Sequence, residues 1–461
     1  MAVKSKGLGA DGVAAPNSTG IKVIIVGMGL GGLAAAIECT RKGHTVLAID
    51  QQKELKPIGD SIAVPSNAAN VVRKWANGAV DERLSKVVTY CEIMEMHNSK
   101  GELIINSNLG GYSGGKGKGH GYPAHRGDLA MAFYDHAKDL GVEFMLGHRV
   151  LEYFEDENEA GVVIDGQKIT ADCVIGADGI HSKARGAITG TNPAPHSSGY
   201  AMYRAWFDAD EVAADPETRW IMEGSHINDI SKLYFSTDLH LMLGTAKRGK
   251  EIFWMCTHKD TYDVAESWSF PGKLEDMLEY IKDWPITPKL EKVFRKTPKD
   301  RLIDFKLLWR DALKTWVSPH GRMMLIGDAA HAILPTSGQG AGQAIEDAAT
   351  LAVCLELGGK GNIQQALRAT QALRYDRASL MQRIGIETRD AWHKTDWEAV
   401  AKDARILEMP RPKWIFGHDC QQYAYDEYDK AVEALNSGVA YKACNVPSEG
   451  ENHRQLDFLD E

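Results

Sequence analysis

A second Gly-x-Gly-x-x-Gly turn, a Cys-x-x-Cys pair, a metal-ligand spacing and a membrane-length apolar run are all missing from the 461 residues. The seven cysteines are scattered, as expected of buried thiols in a reducing compartment rather than of a disulfide framework or a zinc site. No basic stripe stands out, and a formal net charge of -10 argues against general phosphate-backbone binding, so no nucleic-acid partner is expected. Residues 1–20 carry Gly, Ala, Ser and lysine without the apolar centre of a signal peptide, and no later stretch reaches the length of a membrane span. These absences lead to the expectation of a cytoplasmic protein with no metal, no membrane partner and a disordered N-terminus. At 44% hydrophobic and 25% charged residues, the balance is that of a globular chain with a sizeable core.

Glycine, by contrast, is abundant at 45 residues, and it recurs where apolar runs end. In the stretch 322–349, the run Met323 to Ile326 predicts a buried strand ended by Gly327 and Asp328. Gly338, Gly340 and Gly342 then let the backbone approach a ligand before a helix predicted to start near Gly342. Its positive N-terminal end would favour negative charge. Alone, such a turn is equally consistent with an Asp328 helix cap.

Two other strand ends repeat the pattern. Lys-Val-Ile-Ile-Val at 22–26 runs into Gly27-Met28-Gly29-Leu30-Gly31-Gly32 and then an Ala-rich helix. Gly27 permits the tight turn, Gly29 admits a pyrophosphate to the backbone, and Gly32 lets the helix pack on the strand. A second strand, 45–49, ends at Asp50, the place for an acid that binds a ribose diol. The strand 171–175 ends in Gly176-Ala177-Asp178-Gly179. Three such ends predict one dinucleotide cofactor clamped by one discontinuous domain.

Between these returns, 58–67 is rich in turn residues, and the backbone around Ala63 either completes the nucleotide domain or meets the cofactor. Residues 107–121 are Gly-rich with no pattern that buries a face, which predicts a mobile surface loop. Arg126 stands at the front of a predicted helix, where it either reaches a phosphate or is a solvated surface side chain. Residues 141–150 and 152–169 read as a strand meander, and 199–258 as an antiparallel sheet. On that sheet Arg204 shares a face with Met202 and Trp206. A salt-bridged strand residue and a ligand-facing one both fit Arg204. Tyr234 is a candidate partner on another strand, with a core tyrosine as the bland alternative. Segments 273–299 and 363–405 are helical by periodicity.

Together these stretches resemble the FAD-dependent aromatic hydroxylases, or group A flavoprotein monooxygenases, over about 21–432. The C-terminal segments at 316–318, 396–398 and 414–419 resemble fungal salicylate-hydroxylase-like enzymes and, above all, fungal indole-alkaloid monooxygenases of the epoxidase and spiro-oxindole-forming type. The resemblance implies an α/β plus α+β fold, with a Rossmann-like FAD-binding domain at 21–87, 122–198 and 303–365. An antiparallel-sheet substrate domain would occupy 88–121 and 199–302, and C-terminal helices 366–461. It also implies site roles: Gly27, Gly29 and Gly32 at the diphosphate, Asp50 at the adenosine ribose in place of the family's usual Glu, and Arg126 and Ala63 against FAD. Asp178 and Gly179 match the motif shared by FAD and the nicotinamide, and Asp328 the acid at the ribityl chain. Pro335, Gly338, Gly340 and Ala341 match the loop under the flavin ring. Arg204 matches a proposed catalytic arginine, with Tyr234 as its expected partner.

The implied chemistry consumes NADPH or NADH as a transient co-substrate and O2, and oxygenates a small aromatic or indole alkaloid. A single dinucleotide turn fits a family whose nicotinamide has no Rossmann domain of its own. For an indole, attack at C2=C3 gives an epoxide, and a semipinacol 1,2-shift gives a spiro-oxindole. Phenol or aromatic-acid hydroxylation and a flavin dehydrogenase without oxygen transfer are the alternatives.

Overall fold

The computed structural model describes residues 18–115, 119–261, 271–409, 411–448, 451 and 453. At its centre the β-branched strand Lys22–Val26 lies in a five-stranded parallel sheet, between Cys173–Gly176 and Thr45–Asp50. Met323–Leu325 and Glu143–Leu146 form its edges. Parallel strands of this kind are buried on both faces, which is why they read as continuous apolar runs. The three chain returns expected from the glycine-ended strands are therefore neighbours in one sheet. Glu143–Leu146, expected in the meander, instead pairs with Thr45–Asp50. The meander keeps three strands, Glu152–Glu155, Ala160–Ile164 and Gln167–Ala171.

A second sheet has seven strands in the order Ile303–Trp309, His196–Asp208, Glu251–Lys259, Leu239–Ala246, Ser231–Ser236, Ile93–Asn98 and Leu103–Asn108. Its pairings are antiparallel except that between Ser231–Ser236 and Ile93–Asn98. One face carries Tyr203, Ala205, Leu241, Leu243, Trp254 and Cys256 into a core closed by the helices Leu274–Ile281 and Thr287–Phe294. The opposite face looks toward the parallel sheet. A two-stranded ribbon, Ser61–Val64 with Tyr122–His125, joins the two halves.

The helix Gly340–Gly358 is mostly apolar and is buried from Ala341 to Leu355, carrying Gln343, Glu346, Asp347 and Thr350 into the core with it. It packs between Leu30–Arg41, Ile363–His393 and Cys420–Ser437. It begins two residues before the predicted Gly342, because the turn closes at Gln339. The Gly-rich segment also departs from expectation. Gly111, Tyr112, Ser113 and Gly114 are buried, and the Tyr112 hydroxyl donates to the Ser337 carbonyl at 2.7 Å. The missing apolar periodicity misled because one aromatic side chain and backbone bonds tie this segment down. Residues 116–118 of that loop, and most of the expected disordered N-terminus, lie outside the described residues. Among the described residues no helix is long and apolar enough to cross a membrane.

Candidate active site

A cavity of about 1320 Å³ lies between the C-terminal ends of the parallel strands and the open face of the seven-stranded sheet. Pockets for a single small ligand are typically about 300–1,000 Å³, so there is room for a dinucleotide and a second molecule. The C-terminal edge of a parallel sheet is where ligands bind in folds of this kind.

Gly27, Gly29, Asp50, Ala63, Arg126, Asp178, Gly179, Asp328, Pro335, Gly338, Gly340 and Ala341 all line this cavity, as does Arg204. Gly32 does not. A Cβ there would stand 1.9 Å from the Gly27 carbonyl oxygen, so Gly32 serves the contact of helix with turn, as the motif requires. Gly340 is the opposite case. A Cβ there would meet no atom of the described residues within 4 Å and would project into the space beside the helix N-terminus. The Asp50 carboxylate accepts from the Met28 and Gln52 backbone N–H groups, each at 2.7 Å, and so braces the glycine turn. Asp178 Oδ2 accepts from the Lys183 and Ala184 N–H groups, whereas its buried Oδ1 has no partner among the described residues. Asp328 opens onto the cavity, and burial of its carboxyl raises its pKa against the charges of His331, Arg126 and Arg185.

Arg204 is buried and ion-paired to Asp60, with its guanidinium 4.9 Å from the centroid of the Phe305 ring. Asp60 comes from the turn before the ribbon, and its backbone carbonyl accepts from the Arg126 N–H at 2.7 Å. Burial pushes the Arg126 guanidinium down, and Asp60 and Asp328 oppose that shift. Two cations and two acids thus meet where the parallel-sheet ends face the second sheet. Beyond them the lining turns apolar and thioether-rich, with Met94, Met202, Met242, Met255 and Met409 beside Leu233 and Trp392. Methionine is flexible and polarisable and adapts to bulky partners. Tyr234 is not part of this lining. Strand residues alternate between faces, and with Leu233 toward the cavity Tyr234 points into the opposite core, stacked on His97 at 5.0 Å. Its expected partnership with Arg204 is corrected accordingly, and Asp60 takes that place.

A family model described as "FAD binding domain" matches residues 20–379. The chain is a flavoprotein of this family. It is 43% identical over 451 residues to asperlicin C monooxygenase of Petromyces alliaceus, covering 97% of each chain. With notoamide E oxidase of Aspergillus versicolor it shares 36% identity over 436 residues, 94% of each chain. The crystal structure of CtdE in complex with FAD and its substrate 4 superposes with a TM-score of 0.85 at 38% identity, over 90% of this chain and 100% of that one. The chain is thus an FAD-dependent monooxygenase, similar throughout its length to fungal enzymes of that kind.

The flavoprotein's cavity fits that cofactor on its own chemistry. The unpartnered Asp178 Oδ1, the Cβ-free space at Gly340 and the N-terminal ends of the helices Leu30–Arg41 and Gly340–Gly358 supply an acceptor, clearance and two positive ends. Behind the Gly338–Ala341 turn lies a layer that the motifs did not reveal. Glu346 is paired with both Arg374 and Arg377, and Asp347 with Arg374 and His331 while accepting from the Gly327 N–H at 3.0 Å. The signal was present as adjacent acids inside an apolar helix, with Arg374 and Arg377 three apart on another. Buried charge of that kind has to be paired.

Proposed function

We propose that this monooxygenase draws electrons from NADPH or NADH and oxygenates the C2=C3 bond of an indole in a fungal alkaloid, with epoxide opening and a 1,2-shift as the subsequent steps. The observation that carries the reading is a buried, acid-paired arginine standing between the cofactor end of the cavity and a large methionine-lined chamber. The substrates named for the relatives, asperlicin C and notoamide E, support a sizeable alkaloid over a small phenolic acid.

Gly27, Gly29 and Arg126 would hold the diphosphate, Asp50 the adenosine ribose, Asp178 and Asp328 the polar linker, and the turn Pro335–Ala341 the flavin ring. Bound and reduced, FAD supplies an electrophilic oxygen atom derived from O2. The chain's residues do the rest. The N-terminal end of Gly340–Gly358 stabilises negative charge on the ring. The thioether and aromatic walls exclude water and press the indole π-system toward the oxygen. Arg204 donates to the substrate oxygen as the epoxide opens, where a fixed cation stabilises the developing alkoxide. Asp60 holds Arg204 in that orientation.

The test offers asperlicin C, notoamide E and salicylate to the FAD-loaded enzyme with NADPH or NADH. A product of one added oxygen from an indole substrate supports the reading. Oxygenation of salicylate alone, or nicotinamide oxidation with no oxygenated product from any of them, contradicts it.

A further inference from the structure

At the end of the chamber away from Asp60, two imidazoles meet: His240 Nδ1 and His393 Nε2 lie 2.7 Å apart. Tyr200 packs on His393 with ring centroids 4.1 Å apart, and its hydroxyl is fixed by Asp238 at 2.7 Å. Tyr200 and Arg204 are four residues apart on one strand, so the pair sits roughly 13 Å along the sheet from the arginine. We propose that His240 and His393 form a neutral hydrogen-bonding subsite that recognises a lactam or other uncharged carbonyl on the part of the substrate remote from the oxygenated carbon. This subsite rests on the indole reading above.

The donor can be assigned by elimination. Burial pushes both imidazoles below their usual range, His393 to about 4, so near neutrality each ring carries one proton. One of the two facing nitrogens donates and the other accepts. His393 Nδ1 is buried with no partner among the described residues. A buried N–H without an acceptor is the rarer and costlier arrangement, so Nδ1 holds the lone pair and His393 Nε2 donates to His240 Nδ1. The remaining proton is then on His240 Nε2, on a side chain that lines the chamber. The adjacent Arg389 is ion-paired to Asp390 at 2.7 Å, which leaves little net charge to attract a carboxylate. A neutral donor beside the thioethers of Met242 and Met255, with Thr257 opposite it on the next strand, suits a neutral carbonyl.

The experiment titrates FAD-loaded enzyme with cyclo(L-Trp-L-Ala), which carries two lactam carbonyls, and with 3-methylindole, which has none, following the flavin spectrum. In H240F the preference for the cyclic dipeptide should fall about tenfold, the loss expected when a carbonyl's hydrogen bond is removed. Methylindole and FAD affinity should stay unchanged. H240Q, whose amide nitrogen stands near the place of Nε2, should restore most of the preference, and any loss should appear in KM rather than kcat. An unchanged preference in H240F with a normal flavin spectrum overturns the subsite alone. Failure of the wild type to bind either indole overturns the indole reading and the subsite together.

Discussion

Arg204 and Asp60 are 144 residues apart in sequence, and their pairing sets the expected behaviour of both. In R204A, product formation should fall by roughly 10²–10³, the loss typical of removing a donor to developing negative charge. The flavin spectrum of the purified protein should be unchanged. In D60N, a milder loss of about tenfold is expected, because the side chain keeps its shape but no longer fixes the cation. Product yield per NADPH consumed would separate the two variants from general damage. Arg204 was legible in the sequence because a charge between Met202 and Trp206 on one strand face is unusual. Its partner was not, because nothing local ties a turn residue at 60 to that strand. The choice of Tyr234 failed for the complementary reason: facing depends on strand register, and a shift of one residue reverses it.

At the level of elements, the two critical glycines should respond differently. G340A adds a methyl that meets no atom of the described residues, so the apoprotein should melt unchanged while FAD affinity falls. G32A forces the helix Leu30–Arg41 off the Gly27 carbonyl and should lower both. Differential scanning with and without FAD distinguishes them. The helix Gly340–Gly358 is held by its buried acids as much as by its apolar faces. E346L strips Arg374 and Arg377 of a shared partner and should destabilise the fold by roughly 3–5 kcal/mol in urea titration, the usual cost of breaking a buried pair. The strand and helix identities in this region could be read from periodicity and glycine. The ion network could not, since periodicity treats 346 and 347 as lapses in an apolar pattern and does not say what compensates them.

For the whole molecule, burial depresses His44, His240, His393 and His418, the last two to about 4 and about 3. The unfolded chain binds protons at these groups from about pH 6.5 downward while the folded protein resists them, so stability falls with pH across that window. Glu346 and Asp347 have depressed folded pKa values, and their contribution is present above about pH 4 and lost as pH falls further. The melting temperature of the apoprotein should therefore begin to drop below about pH 6.5, well before ordinary carboxylates titrate, and drop more steeply below about 4. The discontinuous architecture was visible because three glycine-ended strands return to one parallel sheet. The parallel pairing of Ile93–Asn98 with Ser231–Ser236 had no sequence signal, since it joins segments far apart in the chain.

Running the FAD-loaded enzyme under 18O2 with NADPH and notoamide E or asperlicin C, and locating the label by mass spectrometry, decides whether oxygen from O2 reaches the indole. One 18O atom is expected at the former indole C2=C3 bond in the wild type, and the same label in the roughly 10²–10³-fold smaller amount of product that R204A forms. Oxidised substrate without label, or label on a ring other than the indole, would contradict the indole reading.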